Sequence, residues 1–223
     1  MKGKNIISFA LWGTNPYYAL GAIENAKLAS IIYPGWTPRF YVDETVNKEH
    51  INILKDLGCE IVEEPKSDGF QGMFWRFKPL ADNAIDRFIV RDGDSRLNKR
   101  EADAVSEWID SGLEFHLMRD NVQHNCTPIC GGMWGATSKL IKRINYQNML
   151  KTWLSNNSLR CINHPRGKYF WSDQSFLAEC IWPLIINSHM AHERVPSNYS
   201  GNKRKFKITN EDGSFVGKGI EIK

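Results

Sequence analysis

Two aspartates one residue apart, Asp92 and Asp94, close the apolar run Arg87-Phe88-Ile89-Val90-Arg91, with Gly93 between them. At the end of a buried strand both carboxylates can turn toward one divalent cation, and a glycine lets the main chain approach it closely. Hard oxygen ligands of this kind suit Mg²⁺ or Mn²⁺ carrying a phosphate-bearing substrate. An Asp-Gly-Asp stretch is also an ordinary turn whose carboxylates cap the next element, so the surrounding residues decide between the two.

Several other residues have chemistry to offer. Arg76 and Lys78 precede the strand in Trp75-Arg76-Phe77-Lys78. A guanidinium there can hold phosphate or base oxygens, or pair with an acidic neighbour while Trp75 and Phe77 pack. Arg91 and Arg96 flank the aspartates and are expected to balance them by salt bridges. Gly131-Gly132 allows close approach to the main chain, or simply a tight turn. Trp134 and Trp171 offer flat apolar faces for a ligand or belong to the core. Asp173 opens a helix after a loop and fits an N-cap. His189 and His192, at different phases of a strand, carry imidazoles acceptable to Mn²⁺, or are satisfied polar residues of that strand.

The elements that must position these residues alternate. A strand over 5–12 is followed by the breakers Gly13, Asn15 and Pro16, then by a helix over 17–32 stopped at Pro34-Gly35. A strand over 38–42, a helix over 48–57 ended by Gly58 and a strand over 59–62 repeat the pattern. After a polar loop at 64–72, the segment 73–80 is expected to enter a helix through Pro79. The strand over 87–91 delivers Asp92. Asn98 N-caps a helix over 99–110, with Glu101 completing a capping box and Gly112 ending it. A strand over 113–118, a glycine-rich strand within 130–137, helices over 138–154 and a helix beginning at 171–174 complete the alternation. This predicts a mostly parallel sheet covered by helices on both faces, with ligands at the carboxyl ends of its strands. The tail differs: residues 203–207 are basic and 210–214 read as a hairpin turn, so it is expected to form a hairpin, lid or edge.

The chain has 223 residues and no linker, so a single domain over 1–223 is expected. A formal charge of +4 is too small to argue for nucleic acid but agrees with a small anionic ligand. No apolar run approaches the length of a transmembrane segment, and the start reads as a strand rather than a signal peptide. Five scattered cysteines suit reduced thiols in a cytoplasmic protein. His124, Cys126 and Cys130 lack the second pair that a zinc site needs.

With Asp92-Gly93-Asp94 after an interior strand, followed by Gly131-Gly132 and a late Asp173-Gln174, the sequence resembles Asp-X-Asp glycosyltransferases of the GT-A (Rossmann-like α/β) fold over most of its length. The blocks Trp75-Arg76-Phe77, Arg91 to Arg96, His116 to Asp120 and Gly131 to Gly135 look like those of small bacterial and large-virus glycosyltransferase domains, including capsid-glycosylating ones. The resemblance implies a nucleotide-sugar donor, foremost a UDP-sugar, a glycan or glycoprotein acceptor, and Mn²⁺ or Mg²⁺. It implies Asp94 as a direct metal ligand and Asp92 as a contact to metal, ribose or a metal-bound water. By the same resemblance Arg76 and Lys78 fold over the nucleotide, Gly131 and Gly132 border the donor sugar, Asp173 faces the acceptor hydroxyl, and His192 or His189 supplies a third ligand. It places the protein in the cytoplasm of a bacterial or virus-infected cell, with peripheral membrane attachment left open.

The chain lacks the His-X-X-Gly-X-X-Lys-Pro stretch of the galactosyltransferase-like group, which leaves the third ligand and the stereochemistry open. The basic run at 203–207 either covers the diphosphate in its place or is a solvated tail. Two competing readings remain. A haloacid-dehalogenase-type, Mg²⁺-dependent phosphatase also uses Asp-X-Asp, but near the start of its fold and with a downstream acidic pair. A nucleotide-sugar-binding domain without turnover keeps the fold alone.

Overall fold

The computed structural model describes residues 3–210 and 212–220. Among these, the alternation is realised as β1 (Lys4–Leu11), α1 (Pro16–Ile32), β2 (Thr37–Val42), α2 (Lys48–Asp56), β3 (Glu60–Glu63), β4 (Ile85–Arg91), α3 (Lys99–Ser111), β5 (Phe115–Arg119) and β6 (Met133–Thr137). The helices α4 (Ser138–Arg143), α5 (Tyr146–Asn156), α6 (Ser158–Ile162), α7 (Ser172–Phe176) and α8 (Trp182–Ile185) precede β7 (His189–Glu193) and β8 (Asn202–Arg204). Between β3 and β4, Gly69–Ala81 winds as a tight 3₁₀ segment.

The strands form one eight-stranded sheet in the order β3-β2-β1-β4-β6-β5-β7-β8. Every neighbouring pair is parallel except the two that involve β6. Alternating side chains of one strand go to opposite faces, so Phe88 and Val90 join one apolar cluster and Ile89 the other. The first cluster lies under α5, α7 and the 3₁₀ segment, with Phe77, Trp134 and Phe176 fully buried; the second lies under α1 and α3, with Phe9, Phe40 and Trp108. Burial on both faces is why the central strands read as continuous apolar runs.

Three expectations need correction. Pro79 does not open a helix but lies near the end of the 3₁₀ segment, which closes when Asp82 N–H donates to the Pro79 carbonyl at 3.1 Å. The helices expected over 138–154 are present as α4 and α5, parted at Ile144, with Asn145 capping α5 by accepting from Asn148 N. The capping box at Asn98 is half formed: Asn98 accepts from Glu101 N, but the Glu101 carboxylate turns to Arg91. In the tail, Glu211 lies outside the described residues. Asn210 and Gly213 are joined by a turn hydrogen bond, but no strands flank it among the described residues, so no hairpin forms there. The tail does supply the expected edge, as β8, paired in parallel with β7.

Candidate active site

From β1 the chain moves outward to β2 and β3, then returns to lay β4 on the other side of β1. Such a reversal parts the carboxyl ends of the two strands and leaves a crevice there. A cavity of about 340 Å³ opens at that place, lined by Trp12 after β1, Asp92 and Asp94 after β4, Arg76 and Phe70 of the 3₁₀ segment, and Gly217 of the tail. A larger cavity, about 870 Å³, lies beside the tail against Arg96, Lys99 and Lys218. It lacks both the strand ends and the carboxylate pair.

The 3₁₀ segment brings Arg76 into this crevice. Ser8 Oγ donates to the Arg76 carbonyl at 2.7 Å, and Phe74 and Phe77 on either side are core residues. The guanidinium, itself buried, joins two carboxylates: Nη1 donates to Asp92 Oδ1 and Nη2 to Asp173 Oδ2 at 2.8 Å. Burial alone lowers the pKa of Arg76, but the charges of Asp92 and Asp173 outweigh it and raise it above the ordinary value. Asp173 is fully buried, and burial pushes its pKa up against the opposing pull of Arg76. Its Oδ1 has no hydrogen-bond partner. Asp173 lies in the first turn of α7, whose N-cap position is held by Trp171, so the capping role does not apply.

Gly131 and Gly132 make room for these carboxylates. A Cβ on Gly131 would stand 2.5 Å from Asp173 Oδ2, and one on Gly132 would stand 1.9 Å from Asp92 Oδ2. Asp94 has its pKa raised, first by burial and then by the neighbouring charge of Asp92. Tyr18 of α1 is raised likewise, by burial and then by Asp94 and Asp92. The tail crosses the site: Ile220 N donates to the Asp94 carbonyl at 3.0 Å.

Of the residues singled out by sequence, the crevice therefore gathers Asp92, Asp94, Arg76, Asp173, Gly131 and Gly132. Lys78 turns elsewhere and pairs with Glu64. His192 is buried on β7, 2.9 Å from His116 and 3.7 Å from Glu107, and packs against Phe206. His189 lies at the opposite, amino end of β7, paired with Phe115, and its Nδ1 bonds the Ile185 carbonyl. Among the described residues no three His, Cys, Asp or Glu side chains are grouped to hold a metal ion. The trio Asp92, Asp94 and His192 is thus not assembled. Arg91 does not balance the aspartates either: it pairs with Glu101 at 3.0 Å and reaches the Tyr33 hydroxyl. Arg96 binds carbonyls of its own loop, that of Ser95 at 2.9 Å. Trp134 is core, stacked on Phe115, whereas Trp171 stays half exposed. Sequence reasoning missed the tail crossing at Ile220 and the role of Phe70 as a wall; neither has a local signal, because both depend on long-range packing.

No protein-family profile matches the chain, and no curated protein matches it. Solved structures do. GlyE of Streptococcus pneumoniae TIGR4, a glycosyltransferase, superposes with a TM-score of 0.51 at 14% identity, over 86% of this chain and 45% of that one. The fold is of the GT-A type. This chain spans less than half the length of GlyE. A glycosyltransferase involved in glycosylating the major capsid of PBCV-1 matches at 14% identity and a TM-score of 0.49, over 85% of this chain and 81% of that one. The galactosyltransferase LgtC, in complex with donor and acceptor sugar analogs, matches at 17% identity and a TM-score of 0.45, over 69% and 65%. No helix among the described residues is long and apolar enough to cross a membrane.

Proposed function

We propose that the protein is a metal-dependent glycosyltransferase that moves a sugar from a nucleoside-diphosphate donor, foremost a UDP-sugar, to a glycan or glycoprotein. The observation that carries this reading is the pair Asp92 and Asp94 lining the crevice between the ends of β1 and β4, where open α/β sheets take nucleotides. The phosphatase alternative needs its aspartates near the start of the fold and an acidic partner pair. Here β1 ends at Leu11 and runs on into Trp12 with no aspartate, and the partner of Asp92 is Arg76.

The donor set fits a hard cation. Two carboxylates crowd one loop, and Asp94 is held above its ordinary pKa by burial and by the charge of Asp92, a conflict that Mg²⁺ or Mn²⁺ relieves. With only two side chains to hold it, the ion would share its remaining positions with donor phosphates and water. When bound, it supplies charge to offset the leaving diphosphate. In the transfer the bond from the anomeric carbon to phosphate oxygen breaks, the electron pair leaves with the nucleoside diphosphate, and the acceptor oxygen bonds the sugar and gives up its proton to the departing diphosphate or to water.

The chain's own residues set this up. Arg76 fixes Asp92, and Gly132 leaves the space in which Asp92 sits. The general-base role expected for Asp173 needs a carboxylate that an acceptor can reach, whereas Asp173 is fully buried with one oxygen on Arg76. In this reading it is a positioning residue, holding Arg76 and through it Asp92.

A thermal-shift and hydrolysis screen of nucleotide sugars with and without Mn²⁺ tests the proposal. The wild-type protein is expected to be stabilised by donor only with metal, and Asp94→Ala to lose at least tenfold in donor affinity while keeping its fold. Unchanged affinity in that variant sinks the metal assignment. Asp173→Asn is expected to raise the donor KM more than it lowers kcat, and the reverse split would return Asp173 to the chemical step.

A further inference from the structure

Trp171 keeps 50% of its surface in water although the chain is strained at that point. Its φ is 58° and that of Tyr169 is 62°, both in the left-handed region, where a non-glycine residue is strained. Such strain persists only where surrounding contacts hold it, and here they do. Tyr169 N donates to the Cys161 carbonyl at 2.7 Å, and Phe70 N donates to the Lys168 carbonyl at 2.9 Å, which ties the loop before α7 to the 3₁₀ segment. The indole lies nearly parallel to Phe170, with 11° between the planes and 5.9 Å between centroids. Phe170 meets the edge of Phe70 at 5.2 Å, and Phe70 lines the crevice that holds Asp92 and Asp94. An aromatic surface therefore runs from the crevice out to solvent and ends in an exposed, pre-oriented indole.

The charges of this loop do not form a surface for anions. Arg160 is paired with Glu179 and Lys168 with Asp68, while Arg166 lies over the Phe170 ring at 5.5 Å. What remains is a flat apolar face with polar groups at its rim. A pyranose presents the complementary shape: one face of C–H groups and an edge of hydroxyls that stay solvated. An indole already ordered by stacking loses little rotamer freedom on binding such a ring.

We propose that Trp171, backed by Phe170, is the platform on which a saccharide acceptor stacks beside the donor crevice. This rests on the glycosyltransferase reading and adds the acceptor's class, a pyranoside with an open apolar face. The test compares wild type, Trp171→Phe and Trp171→Ala for binding of methyl β-D-glucopyranoside, methyl β-D-galactopyranoside and methyl α-D-mannopyranoside by saturation-transfer NMR. Hydrolysis of nucleotide sugars by the wild-type protein without acceptor is measured alongside. At least one glycoside is expected to bind wild type, to bind the Phe variant within a few fold, and to bind the Ala variant at least tenfold more weakly. Because Trp171 is half exposed, the Ala variant is expected to melt with wild type, and the Phe variant restores the ring if it does not. Binding by the Ala variant equal to wild type, or by none of the three glycosides to wild type, overturns the platform. Absence of donor hydrolysis in wild type counts against the glycosyltransferase reading itself, whereas intact hydrolysis with an indifferent Trp171 removes this inference alone.

Discussion

Arg76 holds Asp92 and Asp173 at once, and the two glycines opposite leave the space that those carboxylates need. Gly132 is the sharper probe of this arrangement. Its added Cβ would stand 1.9 Å from Asp92 Oδ2 and 2.3 Å from Asp92 Cγ, far inside contact distance, so the carboxylate must leave. The Asp92 side chain is 35% exposed and has solvent to swing into. Gly132→Ala is therefore expected to keep its melting temperature within a few degrees and to lose at least tenfold in metal-dependent nucleotide-sugar affinity. Affinity equal to wild type would mean that Asp92 is not needed where it stands. At this scale Asp92 and Asp94 were legible because a glycine-spaced pair ends an apolar run. The position of His192 was not: which side chain of β7 meets the crevice depends on its pairing with β5 and on Glu107 of α3, and no local pattern carries that.

The elements that carry the site are joined behind it by a buried ion pair. Arg91, the last residue of β4 before Asp92, and Glu101, in the first turn of α3, are each about 1% exposed, and the Tyr33 hydroxyl donates to the same Glu101 oxygen at 2.9 Å. Removing one partner leaves the other buried and uncompensated, which costs about 3–5 kcal/mol, whereas replacing both with apolar groups is often neutral. Glu101→Leu is expected to lower unfolding free energy by about that amount in urea titration, and adding Arg91→Met to recover most of it. If the double variant is no more stable than the single one, the cost lies in packing or in the stranded Tyr33 hydroxyl instead. The strands and α-helices from β1 through α3 were readable to within a residue or two, since apolar runs, Gly58 and Gly112 are local signals, whereas the 3₁₀ segment among them was not. Glu101 misled as a capping residue because Asn98 does cap α3, and only the arrival of β4 shows where the carboxylate goes. The tail supplies the expected edge as β8, but its hairpin failed for a like reason. Its turn residues suggest a hairpin, while its hydrogen bonds run to Asp94 and Asp120, more than ninety positions away in sequence.

Across the whole molecule, the strands just inside the β8 edge of the sheet carry buried imidazoles. His116 of β5 stacks on Trp108 of α3 at 5.4 Å and shares a 2.9 Å hydrogen bond with His192 of β7. Burial lowers the pKa of His116 well below its ordinary value, and the charges of His192, Arg91 and His189 add to this. His192 is lowered by burial too, against the pull of Glu107 and Asp103, with Lys207 of the tail acting in the same sense as burial. Below about pH 6.5 the unfolded chain therefore takes up protons on these rings and the folded one does not. Stability is then complete above the unfolded pKa and is lost as pH falls toward the depressed folded values. Asp94, Asp173 and Glu101, whose pKa values are raised chiefly by burial, act in the opposite direction at lower pH, so the wild-type profile alone mixes the two. His116→Phe separates them, since it keeps a ring against Trp108 and leaves those carboxylates in place. The melting temperature of the wild-type protein is expected to fall between pH 7 and pH 5 more steeply than that of His116→Phe. Parallel profiles would mean that the imidazoles take up protons in the folded state at the ordinary pH, and that the edge of the sheet is open to water.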